Sequence, residues 1–241
     1  MERKTYLIFG VSKGLGRAIT LNLPDGDDQV FGISRSEPDY LSETPSVRWI
    51  SADLSNPVES VKTLKQHIGN TKIDYLIYNV GIWESDAFSD DYNFVTNAPE
   101  ELISLIHTNL TSCILGIQSM IENLKKANQA KIILIGSTWG LDNHNGKEVT
   151  FSATKFALRG VAHSLRENLR ENRIGVSVLN LGYLAMEGQA DEVMDAGIET
   201  TTWRRLIPLQ DVILALKFII STSDASCVKE INMPAMDDNN M

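Results

Sequence analysis

The stretch Thr5-Tyr6-Leu7-Ile8-Phe9-Gly10-Val11-Ser12-Lys13-Gly14-Leu15-Gly16-Arg17-Ala18-Ile19 decides the fold. Its first five residues form a short, mostly apolar run of the kind that makes a buried strand. Three glycines follow, and Arg17-Ala18-Ile19 then continues as a helix. Glycine permits a tight turn and lets backbone amides approach an anion. A pyrophosphate is held at a helix N-terminus by its free N–H groups and its dipole. A glycine triplet alone is common in turns. Its place after a first strand and before a helix marks a dinucleotide loop. Gly10, Ser12, Lys13, Gly14, Leu15 and Gly16 are therefore expected at a cofactor.

Outward from this loop, apolar runs alternate with stretches of helical periodicity. Strands are predicted at Thr5–Phe9, Val30–Ile33, Val47–Ser51, Ile73–Tyr78, Lys131–Gly136, Gly175–Leu181 and Val228–Met233. Helices are predicted near Gly14–Leu23, Val58–Ile68, Pro99–Lys126, Ser152–Glu171 and Leu209–Ile220. Strands as uniformly apolar as Lys131-Ile-Ile-Leu-Ile-Gly136 are buried on both faces. The alternation implies an α/β fold, a doubly wound parallel sheet of the Rossmann type with helices on both faces and right-handed crossovers. No linker or repeat divides the chain, so residues 1–241 read as one nucleotide-binding domain. The irregular segment 182–208 falls after a strand's carboxyl end. It is either a lid over the ligand crevice or a solvated connector.

Composition narrows the function. The chain has 241 residues, 43% apolar and 22% charged, with a formal net charge of −9. That charge opposes a nucleic-acid partner, which needs a basic face, and an anionic membrane surface. No apolar run reaches the roughly 18 residues of a membrane span. The start shows no secretory apolar region. Cys113 and Cys227 are far apart and read as reduced core thiols, while the four histidines are scattered. A cytoplasmic protein without a metal is expected.

The second strand ends Ile33-Ser34-Arg35. An acidic residue there would bind the ribose hydroxyls of NAD and repel a 2′-phosphate. Ser34 and Arg35, with Lys13 in the loop, favour NADP(H) over NAD(H). Asp53 follows the third strand and can accept from the adenine amino group.

The pattern resembles the short-chain dehydrogenase/reductase family in its compact single-domain form, over nearly the whole chain. Gly10 to Gly16 looks like the family's glycine motif, Asp53-Leu54 like its adenine-contacting pair, and Asn79-Val80-Gly81 like its Asn-Ala-Gly. Asn109, Ser137 and Lys155 are similar to its helix asparagine, strand-end serine and motif lysine, and Leu181-Gly182 stands for its Pro-Gly. The resemblance implies hydride transfer between a nicotinamide and a small carbonyl or alcohol. In that reaction Ser137 would hydrogen-bond the substrate oxygen, Asn109 would anchor a water, and Lys155 would hold the nicotinamide ribose and lower the pKa of a tyrosine phenol. It also implies a homodimer or homotetramer. Helix residues Ala153, Ala157, Gly160 and Ser164 form a stripe of small side chains that permits close helix approach.

One departure bears on the chemistry. Phe151 stands where the motif has tyrosine, one helical turn before Lys155. A phenyl ring has no proton to give, so an enzyme of this type would be impaired. The replacement is engineered, or the chain is a natural non-catalytic relative that binds NADP as a sensor or scaffold, or Tyr183 or His144 supplies the proton. Trp83, Trp139 and Tyr183 leave carboxyl ends of strands and are expected to line an apolar substrate pocket. Glu84, Asp86, Asp90 and Asp91 make either an acidic approach to it that disfavours anions or a solvated loop.

Overall fold

The computed structural model describes residues 2–142, 144–185 and 203–238. Its strands are β1 (Thr5–Phe9), β2 (Gln29–Ser34), β3 (Val47–Ser51), β4 (Tyr75–Tyr78), β5 (Lys131–Ser137), β6 (Gly175–Leu181) and β7 (Glu230–Met233). All pair in parallel, in the order β3-β2-β1-β4-β5-β6-β7. The helices are α1 (Gly14–Asn22), α2 (Pro57–Ile68), α3 (Pro99–Ile106), α4 (Ser112–Leu124), α5 (Val149–Asn168) and α6 (Leu209–Ser221). The doubly wound sheet expected from the sequence is the architecture found.

Alternation along each strand builds two cores. Leu7 and Phe9 of β1 face one way and pack with Leu64 of α2, Met120 of α4 and Leu158 of α5. Tyr6 and Ile8 face the other way, toward Ile19 of α1 and Leu216 of α6. Side chains alternate between the faces of a strand, so every residue of β1 is buried. The order reverses between β1 and β4: β1 leads to β2 on one side, while β4 lies on the other. A ligand crevice opens at such a switch point, beyond the carboxyl ends of the strands.

Three local features depart from the expected elements. The long helix predicted over Pro99–Lys126 is two helices, α3 and α4, joined by the π-helical turn His107–Thr111. Helix α5 begins at Val149, ahead of the expected Ser152, because a carboxyl group from a distant loop binds its first turn. Cys227 is exposed and only Cys113 is a core thiol; Cys227 lies in the loop before the edge strand β7. Of the segment 182–208, residues 186–202 lie outside the described residues. Its two ends are clasped, Leu184 bridging Ile207 in parallel and Ile207 N donating to Tyr183 O at 2.8 Å.

Candidate active site

The turn after β1 is built for close approach. Gly10 has φ +83° and Gly14 φ +54°, the left-handed region where a side chain is strained. A Cβ on Gly16 would lie 1.6 Å from Gly10 O, and one on Gly10 would lie 2.9 Å from Asn79 O. Asn79 Nδ2 donates to Gly10 O at 3.3 Å, so the loop is tied across the switch point to the end of β4. Lys13 precedes α1 in extended conformation and places no side-chain cap on the helix. The N–H groups of the first turn are thus left to a ligand. This cradle fits a dinucleotide pyrophosphate.

A cleft continues from the loop over Gly10, Ser12, Ser34, Arg35, Asp53, Leu54, Val80 and Thr108. The Ser34 hydroxyl donates to Ser36 O at 2.7 Å and accepts from Trp49 Nε1 at 3.0 Å, so it shapes the exit of β2. Arg35 and Lys13 are exposed. Burial tends to raise the Asp53 carboxyl, but hydrogen bonds from Ser55 and Asn56, with Arg35 nearby, hold it below its usual range. Leu54 is buried, and its carbonyl accepts from Ser112 Oγ at 2.6 Å, which fixes this edge of the cleft to α4.

At the other end of the crevice, Asn109 is fully buried in the π turn. Its Nδ2 donates to Ile82 O at 2.7 Å and Thr154 Oγ1 at 3.2 Å, and its Oδ1 accepts from Ile82 N at 2.8 Å. Both side-chain donors therefore clamp the loop after Gly81 to α5. Ser137 ends β5 with its Oγ accepting from Trp139 N at 3.2 Å, which leaves the hydroxyl proton available to a ligand oxygen.

Phe151 and Lys155 share the inner face of α5, both buried. Lys155 Nζ donates to Ile135 O at 3.1 Å and lies 5.5 Å from the centre of the Phe151 ring. Burial pulls its pKa down to about 8. A Cβ on Gly81 would come within 2.9 Å of that ammonium, so glycine there makes room for it. Gly182 is held by its N–H on Met233 O at 3.1 Å.

The three expected pocket aromatics do converge, around a fourth that the sequence did not single out. Phe88 meets Trp83, Trp139, Phe151 and Tyr183 edge-on, with ring centres 5.5 to 5.9 Å away. Trp139 is buried, and its Nε1 donates to Glu148 Oε2 at 2.7 Å. Glu148 Oε1 also accepts from Phe88 N at 2.9 Å. Burial tends to raise the Glu148 carboxyl, but these hydrogen bonds lower it below its usual range.

Glu84 differs from both expectations for it. It is neither an acidic approach nor a solvated residue but fully buried, with Oε1 accepting from Thr150 N at 2.9 Å and Phe151 N at 3.3 Å. It caps the helix that carries Phe151. Asp86 is likewise engaged in a local turn with Asn93 and Asn97, whereas Asp90 and Asp91 are exposed. No spacing in the sequence marks Glu84, Phe88 or Glu148 as partners of this site.

The alternative proton donors stand differently. Burial raises the Tyr183 phenol, aided by the Glu148 and Asp238 charges. His144 is used structurally: its Nδ1 accepts from Gly146 N at 3.1 Å, and its Nε2 lies 2.9 Å from Ser152 Oγ.

Comparison with known proteins agrees with this fold. The family model for short chain dehydrogenases matches residues 4–196. The 3-oxoacyl-acyl-carrier-protein reductase FabG of Haemophilus influenzae is 28% identical over 232 residues, covering 92% of each chain. Carbonyl reductase family member 4 of Xenopus laevis is 26% identical over 212 residues, 86% of this chain and 84% of that one. A solved structure of ElxO with a Tyr-to-Phe replacement and NADPH bound has a TM-score of 0.76 at 18% identity, covering 95% of this chain and 97% of that one. The chain belongs to the short-chain dehydrogenase/reductase family.

Proposed function

We propose that this chain is an NADP(H)-binding oxidoreductase scaffold for a small carbonyl or alcohol, and that Phe151 impairs its turnover. The observation that carries the reading is the buried Lys155 ammonium beside the Phe151 ring. A buried cation there is suited to lowering a phenol's pKa, and the ring beside it has no proton to lose. When bound, the nicotinamide supplies or accepts the hydride. The chain's own part is to hold the pyrophosphate on the Gly10–Gly16 loop, to present the Ser137 hydroxyl to the substrate oxygen and to place the Lys155 amine next to the ribose. With Ser34 engaged, selection of a 2′-phosphate falls to Arg35 and Lys13. The ElxO Tyr-to-Phe variant has NADPH bound, which supports retention of cofactor in a related fold.

The test is Phe151→Tyr, assayed for NADPH and NADH oxidation with aldehydes and ketones beside the unaltered chain. A positioned general acid contributes about 10² to 10⁴ in rate. A gain of that order, larger with NADPH, is expected. No activity in either protein, with tight NADPH binding in both, would favour the second reading, a non-catalytic NADP-binding sensor or scaffold. That reading draws on the packing of Phe151, whose ring is enclosed by Trp83 and Phe88.

A further inference from the structure

Phe88 is an unusual residue to find at the centre of an aromatic cluster. It is a bulky side chain with φ +62°, a backbone region that such residues rarely occupy. It does not sit in the hydrophobic core: 38% of it is exposed. Yet its ring lies edge-on to four others, at interplanar angles of 66° to Trp83, 89° to Trp139, 88° to Phe151 and 79° to Tyr183. Such edge-to-face contacts are favoured by the ring quadrupole, which an alkyl chain lacks. The backbone is latched as well, by Phe88 N on Glu148 Oε1, the carboxyl group that also holds Trp139.

We infer that Phe88 is a removable plug in the substrate pocket, and that it holds the place of an aryl group on the substrate. The inference rests on Phe151 marking the reaction centre. The plug lies against that ring, so a substrate reaching it has to displace Phe88. What replaces the plug meets the same four ring edges and faces. The strained backbone favours release, and the exposed side of the ring gives it a way out to solvent.

The experiment is calorimetric titration of acetophenone and of 2-octanone into the unaltered protein and into Phe88→Gly. Glycine adopts φ +62° freely and removes the ring. Acetophenone is expected to bind about tenfold tighter to the variant, the factor regained when a plug that fills the site roughly nine-tenths of the time is removed. The gain for 2-octanone is expected to be clearly smaller. Weaker acetophenone binding in the variant would make Phe88 a wall and overturn the proposal. Equal gains for both ketones would overturn the aryl class. In the unaltered chain, acetophenone should speed hydrogen exchange at the Phe88 amide as Glu148 lets go; slower exchange would also overturn the plug. NADPH titration separates the two readings. Absent NADPH binding with a preserved acetophenone gain removes the oxidoreductase assignment and leaves the plug.

Discussion

Phe151 and Lys155 show how one atom changes the role of its neighbour. A buried ammonium is tolerated where it has a task, and here its nearest ring has no hydroxyl to act on. The lysine pKa, pulled down by burial to about 8, lies below the roughly 10.4 of a free lysine. Between those values the unfolded chain binds more protons, so stability rises with pH. Below about pH 8 the full cost of burying the charge is present. Lys155→Met should therefore stabilise the cofactor-free protein at pH 7, by about 3 kcal/mol at 1.36 kcal/mol per pKa unit. The advantage should shrink as pH rises from about 8 to about 10.4. Denaturant melts of both proteins at pH 7 and pH 10 test it. An advantage that stays the same at the two values would mean that the lysine is not buried as a charge.

The element that presents these residues, α5, takes its first turn from outside itself. Its own N-cap position, Glu148, makes no side-chain cap and points back to Trp139 and Phe88. The helix N–H groups of Thr150 and Phe151 go to Glu84, 66 positions from Thr150. This explains what was legible in the sequence. The existence of α5 and the pairing of Phe151 with Lys155 follow from local periodicity. Its start does not, because the capping group comes from the loop after β4, and Glu84 among Asp86, Asp90 and Asp91 looks like any acidic loop. The π turn is hidden for a similar reason: Asn109 is drawn inward by the backbone of Ile82, a contact no helical pattern records. Glu84→Ala removes the cap and leaves buried amides unpaired, at about 2 kcal/mol. For a domain of this size that lowers the melting midpoint by roughly 4 to 8 °C. Calorimetry measures it, and an unchanged midpoint would mean that the cap contributes nothing.

At the scale of the whole molecule, the sheet was readable because its central strands are apolar on both faces, and burial on both faces leaves no other pattern. The surface was less readable. The small-residue stripe of α5 could have packed on the chain's own sheet, yet Ala153, Gly160 and Ser164 are exposed, and a Cβ on Gly160 would meet nothing within 4 Å. The buried face of α5 is the other one, with Phe151, Lys155, Leu158 and Ala162. Ile103 and Ile106 of α3 and Ile114 of α4 are exposed as well. Apolar side chains and small residues left on adjacent helices suit a self-complementary contact with a second copy of the chain. An Ala157→Glu, Ile114→Glu double variant would bury two unpaired charges in such a contact, a cost of several kcal/mol per charge. Light scattering during gel filtration should then find an oligomer for the unaltered protein and a monomer for the variant, with the fold intact by circular dichroism. An oligomer of the same mass in both would place the interface on another face.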